Sequence, residues 1–305
     1  MNNKPLICIT GPTASGKTSH AVAVARAVSG EIVSADSRQI YKGMDLGTGK
    51  DIEEYQEVPY HMIDIVPAGY RYNLYEYLRD ADAAINDISR RGRVPVIAGG
   101  TGLYIESVVK GIHLPEVPEN VELRESLKDK SLDELTGILA SMKRLHNHTD
   151  TDSAKRAIRA IEIEQYYKEH PDEASQVFPA SPRKAIIVAT DISREDRRNR
   201  ISSRLQARIE AGMIEEVRGL IESGIAPENL IYYGLEYKYL TLYVIGELPY
   251  DRMLKELEIA IHQFAKRQMT WFRGMERRGF SIHWLPYNLS HSSFTEHVLE
   301  LWTSM

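Results

Sequence analysis

The residues Gly11, Pro12, Thr13, Ala14, Ser15, Gly16, Lys17 and Thr18 satisfy G-x-x-x-x-G-K-[ST], a pattern tied to one kind of anion chemistry. Its two glycines let the backbone curl so that several N–H groups face a single phosphate, and the N-terminus of a following helix adds partial positive charge. Lys17 is then placed to reach outer phosphate oxygens, and Thr18 to hold Mg2+. A glycine-rich turn can match by chance, so context decides. An apolar run from Leu6 to Ile9 reads as a strand before the loop, and Ser19 to Val28 reads as a helix after it. The pattern alone names neither the phosphate compound nor its fate.

A second candidate is Asp36, which ends a strand predicted over Glu31 to Asp36. In open parallel sheets, ligand-contacting groups lie just beyond the carboxyl ends of strands, so Asp36 and the Gly11 loop should share a rim. Aspartate is also a common helix cap or turn residue; the rim position favours a functional role. Further along, a strand over Val94 to Ala98 runs into Gly99, Gly100, Thr101 and Gly102. Such small residues permit close approach to a ligand, or simply a strand-to-helix turn.

Three groups of cations stand out. Lys155 and Arg159 share a helical face, with Arg156 beside them; a solvated charged face is the ordinary explanation. Arg197, Arg200, Arg204 and Arg208 recur at helical spacing, and such self-repulsion is costly unless an anion is supplied. Lys266, Arg267, Gln268, Trp271 and Arg273 interleave cations with amide and aromatic groups. That mixture suits phosphate contact with base stacking, or else a helix end favouring cations beside a core tryptophan.

The elements that must position these residues alternate between strand and helix. A third strand is predicted over His61 to Val66, a helix over Leu74 to Ser89, and a further strand over Ala185 to Asp191. This is the grammar of an α/β fold with a parallel sheet and flanking helices. From Leu114 the pattern changes: Pro115 and Pro118 break the chain, and helices are predicted over Val121 to Leu127, Leu132 to Arg144 and Ser153 to Lys168, the last capped by Asp150 or Asp152. Residues 115–182 are therefore expected to form a helical insertion within a core of residues 1–114 and 183–305. A long helix over Tyr250 to Arg278, with Leu254, Leu257, Ile261 and Phe264 inward, precedes a short strand, His283 to Pro286, and a closing helix.

A chain of 305 residues can bury a real core. The net charge of −5 argues against wholesale coating of nucleic acid, though not against local basic patches. The single cysteine, Cys8, excludes an internal disulfide and a cysteine-rich zinc module, and its place in the first strand predicts a buried, inert thiol. No leader is read in the first residues, and no apolar run approaches the roughly 20 residues a membrane helix needs. The expectation is a cytoplasmic monomer.

Read together, the Gly11–Thr18 loop, Asp36-Ser-Arg-Gln-Ile-Tyr-Lys-Gly-Met-Asp45, Gly99-Gly-Thr101, Lys155-Arg156-x-x-Arg159-Ala-Ile-Glu162 and Lys266-Arg-Gln-Met-Thr-Trp-Phe-Arg273 resemble the tRNA dimethylallyltransferase family. The likeness runs in the same order from the first strand to about Arg273, and the second and last blocks are far more specific than the phosphate loop. The resemblance implies a P-loop kinase-like parallel sheet with flanking helices and an inserted helical subdomain. It implies transfer of a dimethylallyl group from dimethylallyl diphosphate to N6 of the adenine 3′ of the anticodon. The phosphate loop would cradle a diphosphate leaving group, with Mg2+ on Thr18. Thr13 and Thr101 would line the reaction channel, Asp36 would sit beside the acceptor amine, and Arg204 would contact diphosphate. Asp36, Ser37, Arg38, Gln39, Lys155, Arg156, Arg159, Lys266, Arg267, Gln268 and Arg273 would face the tRNA anticodon stem-loop. The chain departs from the family pattern at Gly234-Leu235-Glu236, where Gly-Tyr and a basic residue are usual; Lys238 could substitute from the next turn. Tyr60 stands where a histidine is common, Gly47 where alanine is usual, and the zinc finger of some eukaryotic relatives is absent.

Adenine N6 is a poor nucleophile whose proton becomes acidic only as its bond to carbon forms, so a carboxylate can accept it. The base must leave its stack, which predicts flipping into a channel between sheet rim and insertion. A small-molecule kinase with Asp36 on a hydroxyl, a noncatalytic RNA-binding switch and a prenyl transferase acting on free adenine nucleotide are the alternatives. The basic insertion and the Lys266 to Arg273 block speak against the kinase, and the insertion speaks against the free-nucleotide enzyme. The RNA-binding switch would show nucleotide-dependent tRNA binding and no product.

Overall fold

Long apolar runs form the centre of the molecule. In the computed structural model, which describes residues 5–145, 149–174 and 182–305, β1 (Leu6–Thr10) is buried along its whole length. It is followed by α1 (Lys17–Ala27), β2 (Glu31–Ser34), β3 (Tyr41–Lys42), β4 (Tyr60–His61), β5 (Val66–Pro67), α2 (Leu74–Arg90), β6 (Pro95–Gly99) and α3 (Gly102–Lys110). Strands buried on both faces read as continuous apolar runs, the mark of a parallel sheet covered by helices. The sheet is parallel throughout, in the order β4-β2-β6-β1, continued by β7 (Ala185–Asp191) and β8 (Ile282–Pro286). Thr10 aligns with both Gly99 and Ala189, and Ser34 with Ala98. The carboxyl ends of β1, β2, β6 and β7 therefore share one rim.

The chain divides into two compact units, one of Met1–Lys110 with Pro182–Met305 and one of Gly111–Ser181. The smaller unit holds α4 (Val121–Leu127), α5 (Leu132–Met142), α6 (Ala154–Glu169) and the short α7 (Pro171–Ala174). Its own core is built on Leu127, Leu135, Leu139, Ala157 and Ile161. Ser153, not Asp150 or Asp152, sits at the start of α6. The two aspartates are drawn off by cations instead, Asp150 by Lys143 and Asp152 by Arg156.

The larger unit resumes at β7 and continues through α8 (Arg194–Glu210), α9 (Met213–Glu222), α10 (Pro227–Tyr233), α11 (Leu235–Val244), α12 (Tyr250–Arg277), β8 and α13 (His291–Thr303). On α12, Met253, Leu257, Ile261 and Ala265 are buried, while Leu254 and Phe264 are only half-buried at the edge of that face. The expected strand over His61 to Val66 is split. Tyr60–His61 edges the main sheet, Val66–Pro67 pairs with Tyr41–Lys42, and between them Met62 and Asp64 take left-handed φ values of 65° and 55°. The cause is Lys50. Its ammonium is 1% exposed and bonds to the Tyr41 carbonyl, Asp45 and Asp64, pulling the chain out of strand geometry.

Candidate active site

The phosphate loop is built as its pattern demands, between β1 and α1. Ser15 is fully buried and hydrogen-bonded to Thr190 of β7 at 2.6 Å, which ties the loop to the neighbouring strand. Gln268 of α12 accepts from the Thr13 N–H at 2.8 Å and donates to the Gly100 carbonyl at 3.0 Å, bridging the two glycine turns. That bridge explains the small residues after β6. A Cβ on Gly100 would lie 2.3 Å from the Gln268 amide, and one on Gly102 would lie 2.2 Å from the Trp271 ring. Gly100 and Gly102 are small because α12 packs on them, and Gly99 because the Ala35 backbone lies against it.

Two of the α8 arginines, Arg200 and Arg204, contact this loop. Arg200 donates to the Ala14 carbonyl at 2.7 Å, Arg204 donates to the Thr13 hydroxyl, and Arg208 reaches Asp51 at 3.0 Å. Burial, with Arg208 alongside, lowers the Arg204 guanidinium to about 10, against the pull of Glu236, Asp51 and Asp36. Lys17 is lowered to about 8 by burial; Asp36 opposes this, while Arg204 and Arg208 add to it. Lys17, Arg204, Arg208 and Asp36 thus occupy one electrostatic neighbourhood. A dense positive charge held mostly against neutral oxygens is a site prepared for an anion.

Asp36 begins the segment after β2. Its Oδ1 accepts from the Arg38 N–H at 3.0 Å in a side-chain turn, and its N–H donates to the Ser34 hydroxyl at 3.3 Å. Oδ2 makes no hydrogen bond among the described residues. Thr101 locks the segment to the second glycine turn: its N–H donates to the Ala35 carbonyl at 3.0 Å, and its hydroxyl accepts from the Ser37 N–H at 3.1 Å. Asp36, Thr101, Thr13 and Arg204 are therefore gathered on the same rim. The Thr18 hydroxyl is half-buried in the first turn of α1 and makes no hydrogen bond among the described residues. Mg2+ commonly takes one or two protein oxygens together with substrate phosphates, and this free hydroxyl fits that donor set.

With this geometry in place, the sequence profile of the family described as IPP transferase matches residues 39–275, more than half of the chain, and that of isopentenyl transferase matches residues 4–58. The chain belongs to the IPP transferase family. It is 59% identical over 293 residues to tRNA dimethylallyltransferase 2 of Bacteroides fragilis, covering 95% of each chain. It is 57% identical to tRNA dimethylallyltransferase 1 of Parabacteroides distasonis, covering 95% of this chain and 94% of that one. The crystal structure of a tRNA delta(2)-isopentenylpyrophosphate transferase from Staphylococcus epidermidis superposes with a TM-score of 0.70 at 31% identity, covering 99% of both chains.

In this IPP transferase the predicted RNA-facing residues divide. Ser37 and Arg38 are half-exposed beside Asp36, and Lys155, Arg156, Lys266, Arg267 and Arg273 are exposed. Gln39 and Gln268 are not free to meet RNA: both are buried, Gln39 held by the Ser34 hydroxyl at 2.9 Å and the Gly49 carbonyl at 3.1 Å, Gln268 by the bridge above. Arg159 also has internal partners, the buried Glu162 carboxylate and the Val117 carbonyl at 2.9 Å. Trp271 is no core residue, being 38% exposed.

Glu236, the departure from the family pattern, is half-buried and lines a cavity of about 10 Å³ with Arg204 and Arg208. Burial raises its carboxyl, opposed by Arg204, Arg208 and Arg38. Lys238 is exposed and turned over the Tyr239 ring at 5.2 Å. Sequence reasoning missed Glu216 on α9. Its carboxylate accepts from the N–H groups of Asp45, Leu46 and Gly47 at 2.8, 2.7 and 3.1 Å, fixing the specific Tyr41–Asp45 block to the rim. No periodicity announces a carboxylate that caps a distant turn. Cys8 is buried, and burial pushes its thiol up to about 12, which leaves it inert.

Proposed function

We propose that this protein transfers the dimethylallyl group of dimethylallyl diphosphate to N6 of the adenine 3′ of the anticodon in tRNA, releasing diphosphate. The observation that carries the reading is the shared neighbourhood of Asp36, Lys17 and Arg204 beside the phosphate loop. A carboxylate with an uncommitted oxygen faces an anion cradle, as a reaction needs when a proton leaves one partner and a diphosphate leaves the other.

The N6 lone pair forms the new bond to the allylic carbon while the carbon–oxygen bond breaks and its electrons depart with diphosphate. Asp36 accepts the N6 proton as that nitrogen becomes acidic. The loop N–H groups, Lys17 and Arg204 stabilise the charge that collects on the leaving group. Mg2+ held through Thr18 would supply further neutralisation of the phosphate oxygens when bound. Thr13, oriented by Arg204 and Gln268, and Thr101, tied to Ser37, border the reacting centre. Ser37, Arg38, Lys266, Arg267, Arg273, Lys155 and Arg156 supply contacts to the anticodon stem-loop. The loop serves a diphosphate and not ATP hydrolysis. Among the described residues no helix is long and apolar enough to cross a membrane, and a cytoplasmic monomer, where tRNA is available, completes the reading.

The test is to incubate the protein with Mg2+, dimethylallyl diphosphate and either tRNA or AMP, and to look for N6-prenyl adenosine by mass spectrometry. Product on tRNA alone is expected. Product on AMP but not tRNA would make it an adenine-nucleotide prenyl transferase. Label passing from ATP to an acceptor, with no prenyl product, would make it a kinase.

A further inference from the structure

Away from the phosphate loop, the segment between β5 and α2 carries Tyr70 and Arg71, and it meets the C-terminal end of α10. The Arg71 guanidinium lies 4.9 Å above the ring of Tyr232. Tyr232 is 50% exposed and Tyr70 44% exposed, a large aromatic display for two adjoining segments. Neither segment is loose. The Tyr233 hydroxyl accepts from the Gly69 N–H at 2.6 Å and donates to the Tyr70 carbonyl at 2.9 Å, while its ring packs on Tyr41 at 4.4 Å. The Tyr70 hydroxyl donates to Glu76 at 2.6 Å. The display is continuous with the acceptor site, because Arg38 comes within 3.4 Å of the position a Cβ would take on Gly234, the residue that ends α10. Among the described residues neither Arg38 nor Arg71 makes an ion pair.

We infer that Arg71 and Tyr232 form a stacking platform for an unpaired nucleotide adjoining the adenosine that reaches Asp36. The inference rests on the reading above, that single-stranded RNA is the acceptor. Bases splayed from a loop are held by stacking on aromatic rings and on guanidinium planes, and Arg71 over Tyr232 offers both surfaces in one stack. Two unpaired guanidiniums supply the charge that an RNA backbone complements. A protein partner would need an apolar patch, and Arg38 and Arg71 interrupt this one. The chemistry selects a planar π-face with a phosphate beside it, and shows no hydrogen-bond pattern that would favour one base.

The experiment uses the whole protein and an anticodon stem-loop RNA with 2-aminopurine at each unpaired position next to the target adenosine. Fluorescence should be quenched at one of these positions with wild-type protein and recover with Tyr232→Ala. The KM for RNA should rise about 5- to 100-fold in Tyr232→Ala and Arg71→Ala, the range expected for the loss of one stacked base. The KM for dimethylallyl diphosphate should not move, and Tyr232→Phe should behave as wild type. Arg71→Lys keeps the charge without the plane, so its KM for RNA should stay raised. An unchanged KM for RNA in both alanine variants, or full activity of Arg71→Lys, overturns the platform. Arg71 is exposed, so its variants report on binding without threatening the fold. If wild-type protein gives no prenylated RNA, the reading above fails; active wild type with unmoved variants sinks the platform alone.

Discussion

Helices α8 and α6 both display arginines at helical spacing, yet the two faces have different partners. On α8, Arg200 and Arg204 rest on a carbonyl and a hydroxyl of the phosphate loop, so most of their charge is left unbalanced. On α6, Arg159 shares the buried Glu162 carboxylate with Arg124, whose nitrogens lie 2.9 and 2.8 Å from it, and Arg156 pairs with Asp152 at 2.6 Å. A cation face balanced within its own unit holds that unit together. One resting on neutral oxygens awaits an anion from outside. The difference lies in the partners, and spacing alone does not show partners.

The largest break in that comparison comes from the group facing the α8 cations. Asp36→Asn keeps the shape of the side chain and removes its ability to take a proton, so turnover should fall about 10²–10⁴-fold with RNA affinity little changed. Single-turnover kinetics at saturating tRNA would measure it. Near-normal turnover would remove Asp36 from proton transfer. Arg204→Ala comes next: losing one preorganised donor to a developing charge costs about 10²–10³ in turnover. Its melting temperature should barely move, because a buried cation with lowered pKa is not a stabilising group in the empty protein. A collapse of stability with normal turnover would give α8 the role argued for α6.

The converse break is Glu162→Ala in the smaller unit. Burial would raise this carboxyl, but Arg124, Arg159 and the Asn120 N–H hold it below the usual range. The stabilisation it brings is therefore present at neutral pH and is lost as pH falls through its lowered pKa. Removing it takes the shared buried carboxylate from two part-exposed guanidiniums, of which Arg124 keeps Glu119 and Arg159 keeps the Val117 carbonyl. The loss should destabilise the protein by about 2 kcal/mol, the scale of hydrogen bonds to a charged group. Chemical denaturation of wild type and variant checks this; an unshifted midpoint would make Glu162 dispensable.

Much of this was legible in the sequence. The phosphate loop, the apolar strands and the helix bounds of the insertion follow from periodicity and from local pattern, both of which survive folding. The sheet rim also followed, because parallel strands end together. What stayed hidden depends on partners distant in sequence. Gln39, Gln268 and Arg159 have RNA-binding side-chain types, but each is taken up by neighbours that no spacing announces. The strand expected at His61 failed for the same reason, since a buried lysine fourteen residues before Asp64 pulled that aspartate out of line. In helices α9 to α11 only Glu236 and its neighbours stand out in the sequence, yet α9 also delivers Glu216 to the Asp45 to Gly47 turn and α10 sets Tyr232 under Arg71.

Lys17 sharpens the comparison through pH. Its folded pKa of about 8 lies below its ordinary 10.5. Between these values the unfolded chain keeps a proton that the folded protein has released, so stability of the empty protein should rise with pH across that window. Binding has the opposite sign. Diphosphate favours the ammonium, so binding should take up a proton above about pH 8, and the KM for dimethylallyl diphosphate should climb as pH increases. Titration calorimetry in buffers of different ionisation enthalpy reads the uptake directly. Proton release on binding would refute the assignment.

The smallest effect tests the exposed end of α6. Lys155 and Arg156 lie outside the Glu162 cluster and are exposed, so they can serve a phosphate without costing the unit its core. Depriving one single-strand phosphate of its cation should flatten the log–log salt dependence of RNA binding by roughly 0.7. Lys155→Ala should show that change without altering stability, whereas Arg159→Ala should alter stability and leave the slope nearly intact. A slope unmoved by Lys155→Ala would place the whole of α6 on the structural side of the comparison. The two variants lie one helical turn apart, so their difference separates the exposed end of α6 from the Glu162 cluster.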